Sequence, residues 1–99
     1  SQEKIEITGG KQIIEMRVDG LEYYPDKFNV KKGVPVEWRI NGENAQGCAQ
    51  IISVPTLGIT ERLLRNTINI VRFTPQKEGA IMFSCGMGMA GPGKFNVIA

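Results

Sequence analysis

Apolar and polar residues alternate along most of this chain, and the alternation predicts β-strands. Between Lys11 and Asp19, for example, Ile14, Met16 and Val18 fall on one side, while charged residues separate them. A period of two is typical of a strand that buries one face. We expect a strand in each of seven short segments that share this pattern: 11–19, 28–30, 34–41, 48–54, 66–75, 80–85 and 94–99.

The segments between these strands are short and carry turn signals, so the sequence predicts an all-β fold without a long helix. Short strands of this kind, about seven of them, are typical of an antiparallel β-sandwich or barrel. We expect a turn at Asn41–Gly42 and at most one helical turn in residues 60–65. The phase shift between Ile70 and Val71 predicts either a bulge or a strand that is buried on both sides. Trp38 falls on an apolar face and is expected to anchor the core.

Length and composition indicate a single soluble domain. The chain has 99 residues, of which 41% are hydrophobic and 22% charged. No apolar run approaches the ~20 residues of a membrane helix. We assign residues 1–10, a polar stretch that ends in Gly9–Gly10, to a flexible N-terminal arm, with a short edge strand as the alternative. Residues 11–99 then form the folded domain.

The charge pattern and the absence of histidine exclude several classes of function. The net charge is only +2, and the twelve basic residues are scattered among ten acidic ones. A nucleic-acid-binding protein would need a basic cluster interleaved with exposed aromatic residues. No histidine can serve as a general base, and no motif pairs a nucleophile with another base. We therefore expect a protein that is not an enzyme and does not bind nucleic acid.

The stretch with the most distinctive chemistry runs from Phe83 to Gly93, where Cys85, Met87 and Met89 alternate with glycines. Thiolate and thioether sulfurs are soft ligands that favour Cu(I) over harder divalent ions. The glycines let the backbone turn tightly, so that ligands two positions apart can converge on one ion. The residue types therefore indicate copper(I) before any other metal.

The remaining cysteine, Cys48, completes the candidate ligand set. A blue-copper electron-transfer site needs two imidazoles, and zinc sites usually have four Cys or His ligands. With two cysteines and no histidine, the chain can form neither. We expect Cys48 on the strand face of Ile52 and Val54, with its sulfur at the end of the core. Two thiolates suffice for Cu(I) at low coordination number, so we predict a site for one or two Cu(I) ions on Cys48, Cys85, Met87 and Met89.

Other interpretations of the two cysteines stay open. A disulfide between Cys48 and Cys85 would stabilise a β-sandwich that serves as a protein-interaction module without metal. Such scaffolds usually do not carry Met-Gly-Met beside a half-cystine, and inert buried thiols are a further alternative. A thiol redox protein would need a reactive thiol with a resolving partner, typically Cys-x-x-Cys near a helix. Neither cysteine has that setting.

Several motifs between about residue 11 and residue 99 resemble those of cupredoxin-like domains. They are Tyr24-Pro25 with Phe28, Lys32-Gly33-Val34-Pro35-Val36, Gly47-Cys48, Phe73-Thr74-Pro75, Gly79, and Phe83-Ser84-Cys85-Gly86-Met87-Gly88-Met89. More narrowly, the Cys-Gly-Met-Gly-Met string and the second cysteine resemble the soluble domains of CupA-type copper(I) chaperones and the similar N-terminal metal-binding domains of copper-exporting ATPases. The resemblance implies a cupredoxin-like Greek-key β-barrel with copper held by Cys48, Cys85, Met87 and Met89.

The resemblance also implies a role and a place in the cell. It implies a monomeric Cu(I) chaperone or metal-binding domain that passes copper to a copper-exporting P-type ATPase in copper resistance. It further implies a position at the cytoplasmic face of the bacterial cell membrane, where an N-terminal segment absent from this chain tethers the soluble domain. The histidine ligands of electron-transfer cupredoxins are missing. Redox cycling of the copper is therefore not expected.

Overall fold

The computed structural model describes residues 7–86, 88 and 90–99, and these residues are organised as β-strands. Two 3-10 turns, Gly47–Gln50 and Pro55–Leu57, interrupt the strands, and the described residues include no helix able to cross a membrane. The prediction of an all-β fold is confirmed. The strands are β1 (Ile7–Thr8), β2 (Lys11–Gly20), β3 (Glu22–Tyr24), β4 (Lys27–Lys31), β5 (Val36–Ala45), β6 (Ile51–Val54), β7 (Ile59–Arg62), β8 (Asn69–Phe73), β9 (Gly79–Phe83) and β10 (Gly93–Ile98).

The strands form two main sheets and a hairpin. The larger sheet has the order β1–β2–β5–β8, with β3 also paired to β2, and the smaller sheet has the order β4–β10–β9. Strands β6 and β7 form the hairpin. The pairs β2–β5 and β4–β10 are parallel, so the expectation of a purely antiparallel arrangement is wrong. Alternation shows which face of a strand is buried, but it does not show the direction of the neighbouring strand.

Three strands were not predicted by the alternation: β1, β3 and β7. Strands β1 and β3 have only two and three residues, too few for a period to show. Strand β7 replaces the helical turn expected in residues 60–65, because Ile59 to Arg62 pair with β6. Residues 1–6 of the predicted arm lie outside the described residues, while Ile7 and Thr8 pair with β2 at the edge of the larger sheet.

The core lies between the inward faces of the sheets and is centred on aromatic rings. Trp38 on β5 is fully buried, as predicted, and its ring centroid is 4.6 Å from that of Phe83 and 4.8 Å from that of Phe95. Phe28 and Phe73 pack on the same Phe95 ring, with centroids 5.4 Å and 5.1 Å away. Edge-to-face rings at these distances contribute beyond the area that they bury. The rings therefore join the smaller sheet to the larger one.

Strand β5 continues through Asn41–Gly42, where a turn was predicted. Gly42 is buried, and a Cβ atom on it would lie 2.9 Å from Cβ of Leu63. The glycine thus provides room for the segment that crosses over β5, and the dipeptide does not end the strand. Neither alternative for β8 is correct: its pairing with β5 is regular, and one of its faces is exposed. The apparent phase shift arises because the polar Asn69 points inward and the apolar Ile70 points outward.

The buried Asn69 side chain is fully satisfied by the backbone around it. Its amide nitrogen donates to the carbonyls of Ile40 at 3.2 Å and Leu64 at 3.0 Å, and its oxygen accepts the Leu64 N–H at 2.8 Å. A buried polar group with these partners escapes most of the cost of desolvation. Asn69 therefore pins the crossover segment to the edge of the larger sheet.

The outward face of the larger sheet carries a charge-matched cluster around Glu37. Its carboxylate, only 5% exposed, accepts hydrogen bonds from Lys11 Nζ at 2.7 Å and Arg39 Nε at 2.8 Å. Arg72 Nη2 lies 3.7 Å away, and Arg39 also approaches Glu15. The hydrogen bonds from Lys11 and then Arg39 lower the pKa of Glu37 from 4.5 to about 2. Lys11, Arg39 and Arg72 therefore share the Glu37 carboxylate.

Candidate metal centre

The two cysteines lie at the same end of the barrel, on two different connections. Cys85 lies two residues beyond the end of β9, which stops at Phe83 and so is shorter than the predicted strand 80–85, and Cys48 lies in the 3-10 turn between β5 and β6. The expectation that Cys48 belongs to the strand of Ile52 and Val54 is wrong in this detail. Gly47 adopts a left-handed conformation at φ 56°, which starts the turn, and β6 begins only at Ile51.

Backbone pairing brings these two connections together. Strand β6 contacts the end of β9 through Ser53 and Ser84, whose N–H groups donate to each other's carbonyls at 2.7 Å and 3.1 Å. Cys85 is the next residue after Ser84, and the turn with Cys48 precedes β6. The Cα atoms of Cys48 and Cys85 are 5.7 Å apart as a result. The fold thus places the two predicted thiol ligands within reach of each other.

In this structure the two sulfurs are joined as a disulfide, and no described cysteine is free. A disulfide between these two cysteines was the alternative to a metal site in the sequence analysis. A disulfide sulfur carries no thiolate charge, so the pair must be reduced before it can bind a soft cation. The same Cα separation, once the bond is reduced, leaves two thiols facing one small space. The assignment of the pair as copper ligands stays a prediction.

Cys85 is the more enclosed of the two cysteines. It is 2% exposed, whereas Cys48 is half-buried. The Ala90 N–H donates to Sγ of Cys85 at 3.3 Å, and the carbonyl of Cys85 accepts the Gly88 N–H at 3.0 Å and the Ser84 hydroxyl at 3.0 Å. A backbone N–H that points at sulfur stabilises negative charge there. Cys85 is therefore a preorganised position for a thiolate, with Cys48 on the solvent side.

A glycine and an aromatic platform fix the returning arm of the Cys85 loop. Gly91 has φ 83°, and a Cβ atom on it would lie 2.7 Å from Cε2 of Tyr23. Tyr23 is buried against Phe83, with ring centroids 5.3 Å apart. Burial raises the pKa of Tyr23 to about 12, and its hydroxyl has no hydrogen-bond partner among the described residues. The sequence analysis did not predict this platform. The Gly-Pro-Gly sequence that follows Met89 was the signal that could have indicated it.

Met87 and Met89, the other two predicted ligands, lie outside the described residues. Their described neighbours Gly86 and Gly88 are exposed, while Ala90 is buried. Within residues 7–86, 88 and 90–99 no group of three or more His, Cys, Asp or Glu side chains is close enough to hold a metal ion. Of the four predicted ligands, the structure therefore describes Cys48 and Cys85. Two sulfurs are a chemically suitable set for low-coordinate Cu(I) and a poor one for zinc.

Comparisons with known proteins agree with this architecture. A family model described as a cupredoxin-like domain matches residues 2–97. One similar structure is the crystal structure, with Cu(I), of the metal-binding domain of the Cu(I)-exporting P-type ATPase CopA of Streptococcus pneumoniae D39. It has a TM-score of 0.87 and 29% identity, and the match covers 96% of this chain and 93% of that chain. The solution structure of a copper-binding protein in the apo form has the same score and identity, covering 99% and 98%.

More distant structures support the fold alone. A reduced variant of amicyanin has a TM-score of 0.63 at 19% identity, covering 94% of this chain and 87% of that chain. No curated protein matches the chain in sequence. The family model nonetheless spans nearly the whole chain, and the described strands superpose on those of two copper-binding domains. This chain therefore belongs to the family of cupredoxin-like domains.

Proposed function

We propose that this chain is a Cu(I)-binding domain that carries copper on the sulfurs of Cys48 and Cys85 and passes it to a copper-exporting P-type ATPase. The observation that carries the proposal is the 5.7 Å separation of the two cysteine Cα atoms at the end of the barrel that leads into the Met-Gly-Met string. Met87 and Met89 serve as weaker thioether ligands, so that the site takes one or two Cu(I) ions. In this role the chain catalyses no covalent chemistry.

The difference between the two cysteines suits a carrier. Cys85 is enclosed and receives the Ala90 N–H, so it retains a thiolate while ligands exchange around the ion. Cys48 is half-buried, so an incoming sulfur can approach copper from its side. A bound ion can then pass through a shared intermediate, without leaving sulfur coordination.

The similar structures support the copper assignment and the partner. Two domains at 29% identity are described as copper-binding, and one of them is part of a Cu(I)-exporting ATPase. We propose that the chain acts in copper resistance at the cytoplasmic face of a bacterial membrane as a monomeric domain. It is either the soluble part of a membrane-tethered, CupA-type chaperone or the N-terminal domain of the ATPase itself.

A second candidate function rests on the disulfide. If the bond between Cys48 and Cys85 persists in the cell, the chain is a disulfide-stabilised β-sandwich that presents its surface to a protein partner without metal. This candidate differs from the carrier in the state of the thiols. It predicts oxidised cysteines under native conditions and no competition for copper.

The decisive experiment is an anaerobic Cu(I) titration of reduced protein in competition with a colorimetric chelator, combined with a thiol count on protein isolated under native conditions. We expect one or two equivalents of Cu(I) to be withdrawn from the chelator and both thiols to be free. Cys48→Ser and Cys85→Ser should each abolish tight binding, whereas Ser53→Ala, a nearby half-buried change without loss of sulfur, should not. No free thiols and no copper competition would replace the carrier with the disulfide-stabilised module.

A further inference from the structure

The outward face of the smaller sheet carries basic side chains that form no ion pair with a carboxylate of the described residues. On β4, β9 and β10 the inward positions are buried, and the residues between them point outward. A hydrogen bond between Asn96 Nδ2 and Asn29 Oδ1, at 3.3 Å, shows that neighbouring strands present these positions on one side. We call the following set the lysine face: Lys27, Asn29, Lys31, Ala80, Met82, Lys94, Asn96 and Ile98.

One row of the lysine face places two positive charges side by side on neighbouring strands. Lys94 pairs directly with Lys27 on β4 and with Met82 on β9. Like charges directly opposite each other on one face of a sheet repel. Among the described residues, none of the three lysines of this face forms an ion pair with a carboxylate. The larger sheet, by contrast, surrounds Glu37 with three basic side chains.

This row lies at the end of the smaller sheet that leads into the Cys85 loop. Lys94 is the second residue of β10 and Met82 the penultimate residue of β9, and the loop connects these two strands. Met82 is 44% exposed beside the lysine pair. Any molecule that docks on this row is therefore held next to the candidate copper ligands, with an apolar contact from Met82 beside the two lysines.

We infer that the row Lys27–Lys94–Met82 is the docking surface for an acidic protein, namely the protein that exchanges copper with this domain. This inference rests on the proposed function, because it assigns the partner's chemistry to the same end of the barrel. Carboxylates of the partner relieve the repulsion between Lys27 and Lys94 and steer the encounter. A protein fits better than a lipid surface here, because the positive charge is adjacent to the sulfur loop and only a sulfur-bearing partner can take the ion.

The test uses a copy of this chain with reversed charge as a defined acidic partner. Unlabelled Lys27→Glu/Lys94→Glu protein is titrated into ¹⁵N-labelled reduced wild type without copper, at low ionic strength. We expect amide shifts at Lys27, Met82 and Lys94 that disappear at high salt. The control titrant, Lys32→Glu/Lys77→Glu, has the same net charge but changes residues at the opposite end of the sheet, where Lys32 faces Glu78. It should produce no shifts in that row.

A second experiment measures the rate at which copper passes from copper-loaded wild-type protein to each of the two charge-reversed variants, which are supplied without copper. Transfer to Lys27→Glu/Lys94→Glu should be about tenfold faster than transfer to the control, a typical gain from electrostatic steering. Equal shifts or equal rates with the two titrants would overturn the inference. Failure of the wild type to bind copper would refute the proposed function, while the shift experiment without metal still decides the docking surface. Co-sedimentation with phosphatidylglycerol vesicles that depends on Lys27 and Lys94, without protein-induced shifts, would overturn it in favour of a membrane surface.

Discussion

The ring of Phe83 occupies the space in which a side chain at position 93 would lie. Gly93 and Phe83 are paired across β9 and β10, and a Cβ atom on Gly93 would overlap the Cζ end of the Phe83 ring. Phe83 packs in turn against Trp38 and Tyr23, and it is separated by one residue from Cys85. The Phe83 ring therefore connects the core to the candidate metal loop, and only a glycine at position 93 leaves room for it.

We predict from this contact that Gly93→Ala destabilises the domain by about 1–3 kcal/mol, because the added methyl group overpacks a core that cannot move aside freely. The free energy of unfolding in urea measures the effect. Gly86→Ala is the matched control, because no atom lies within 4 Å of its added Cβ and its φ is not positive. Equal stability of the two variants would mean that the Phe83 ring is not confined as described.

The state of the cysteine pair should control both stability and copper uptake. The two residues are 37 positions apart, and closing a loop of this length stabilises a fold by about 4 kcal/mol in the chain-entropy treatment. We expect the oxidised protein to be more stable than the reduced protein by an amount of that order and to take up no Cu(I) until a reductant is added. Urea unfolding and chelator competition on both forms measure this. Copper uptake by fully oxidised protein would contradict the assignment of the thiols as ligands.

The methionines should affect weak binding and transfer more than tight binding. Thiolates bind Cu(I) with charge as well as softness, whereas thioethers are neutral. Met87→Leu/Met89→Leu is therefore expected to keep the tight site on Cys48 and Cys85 but to lose a second equivalent of copper or to slow its transfer. Met16→Leu, a volume-conserving change of a buried methionine on β2, is the control. Wild-type stoichiometry, affinity and transfer rate in the double variant would remove the methionines from the site.

Glu37 should make the fold sensitive to acid. Hydrogen bonds from Lys11 and Arg39 lower its pKa from 4.5 to about 2. A carboxylate whose pKa falls on folding stabilises the folded state above the unfolded-state pKa, and this contribution is lost as pH falls toward the folded-state value. We expect the loss between about pH 4.5 and pH 2, and a shallower pH dependence of the unfolding free energy in Glu37→Gln. Glu15→Gln, whose side chain is 76% exposed, should leave the wild-type slope unchanged.

Local alternation was sufficient for much of the fold. Strands β2, β4 and β10 follow directly from it, and Trp38 and Phe83 lie in the core where their periodicity places them. A residue's inward or outward direction is a property of the strand itself, because successive side chains point to opposite faces. The absence of histidine likewise limits the metal chemistry through composition alone. These conclusions need only the composition of the chain and the period within single segments. They do not require knowledge of which segments are neighbours in the fold.

Long-range pairing decided the remaining features. The parallel pairs β2–β5 and β4–β10, the continuation of β5 through Gly42, and the single row that joins Lys27 with Lys94 depend on residues distant in sequence. No period within one segment encodes which strand lies next to it. The candidate site also depends on long-range pairing, although its residue types were evident in the sequence. The distance between Cys48 and Cys85, by contrast, results from the backbone bridge of Ser53 and Ser84, which forms only when the β6–β7 hairpin packs against the end of β9.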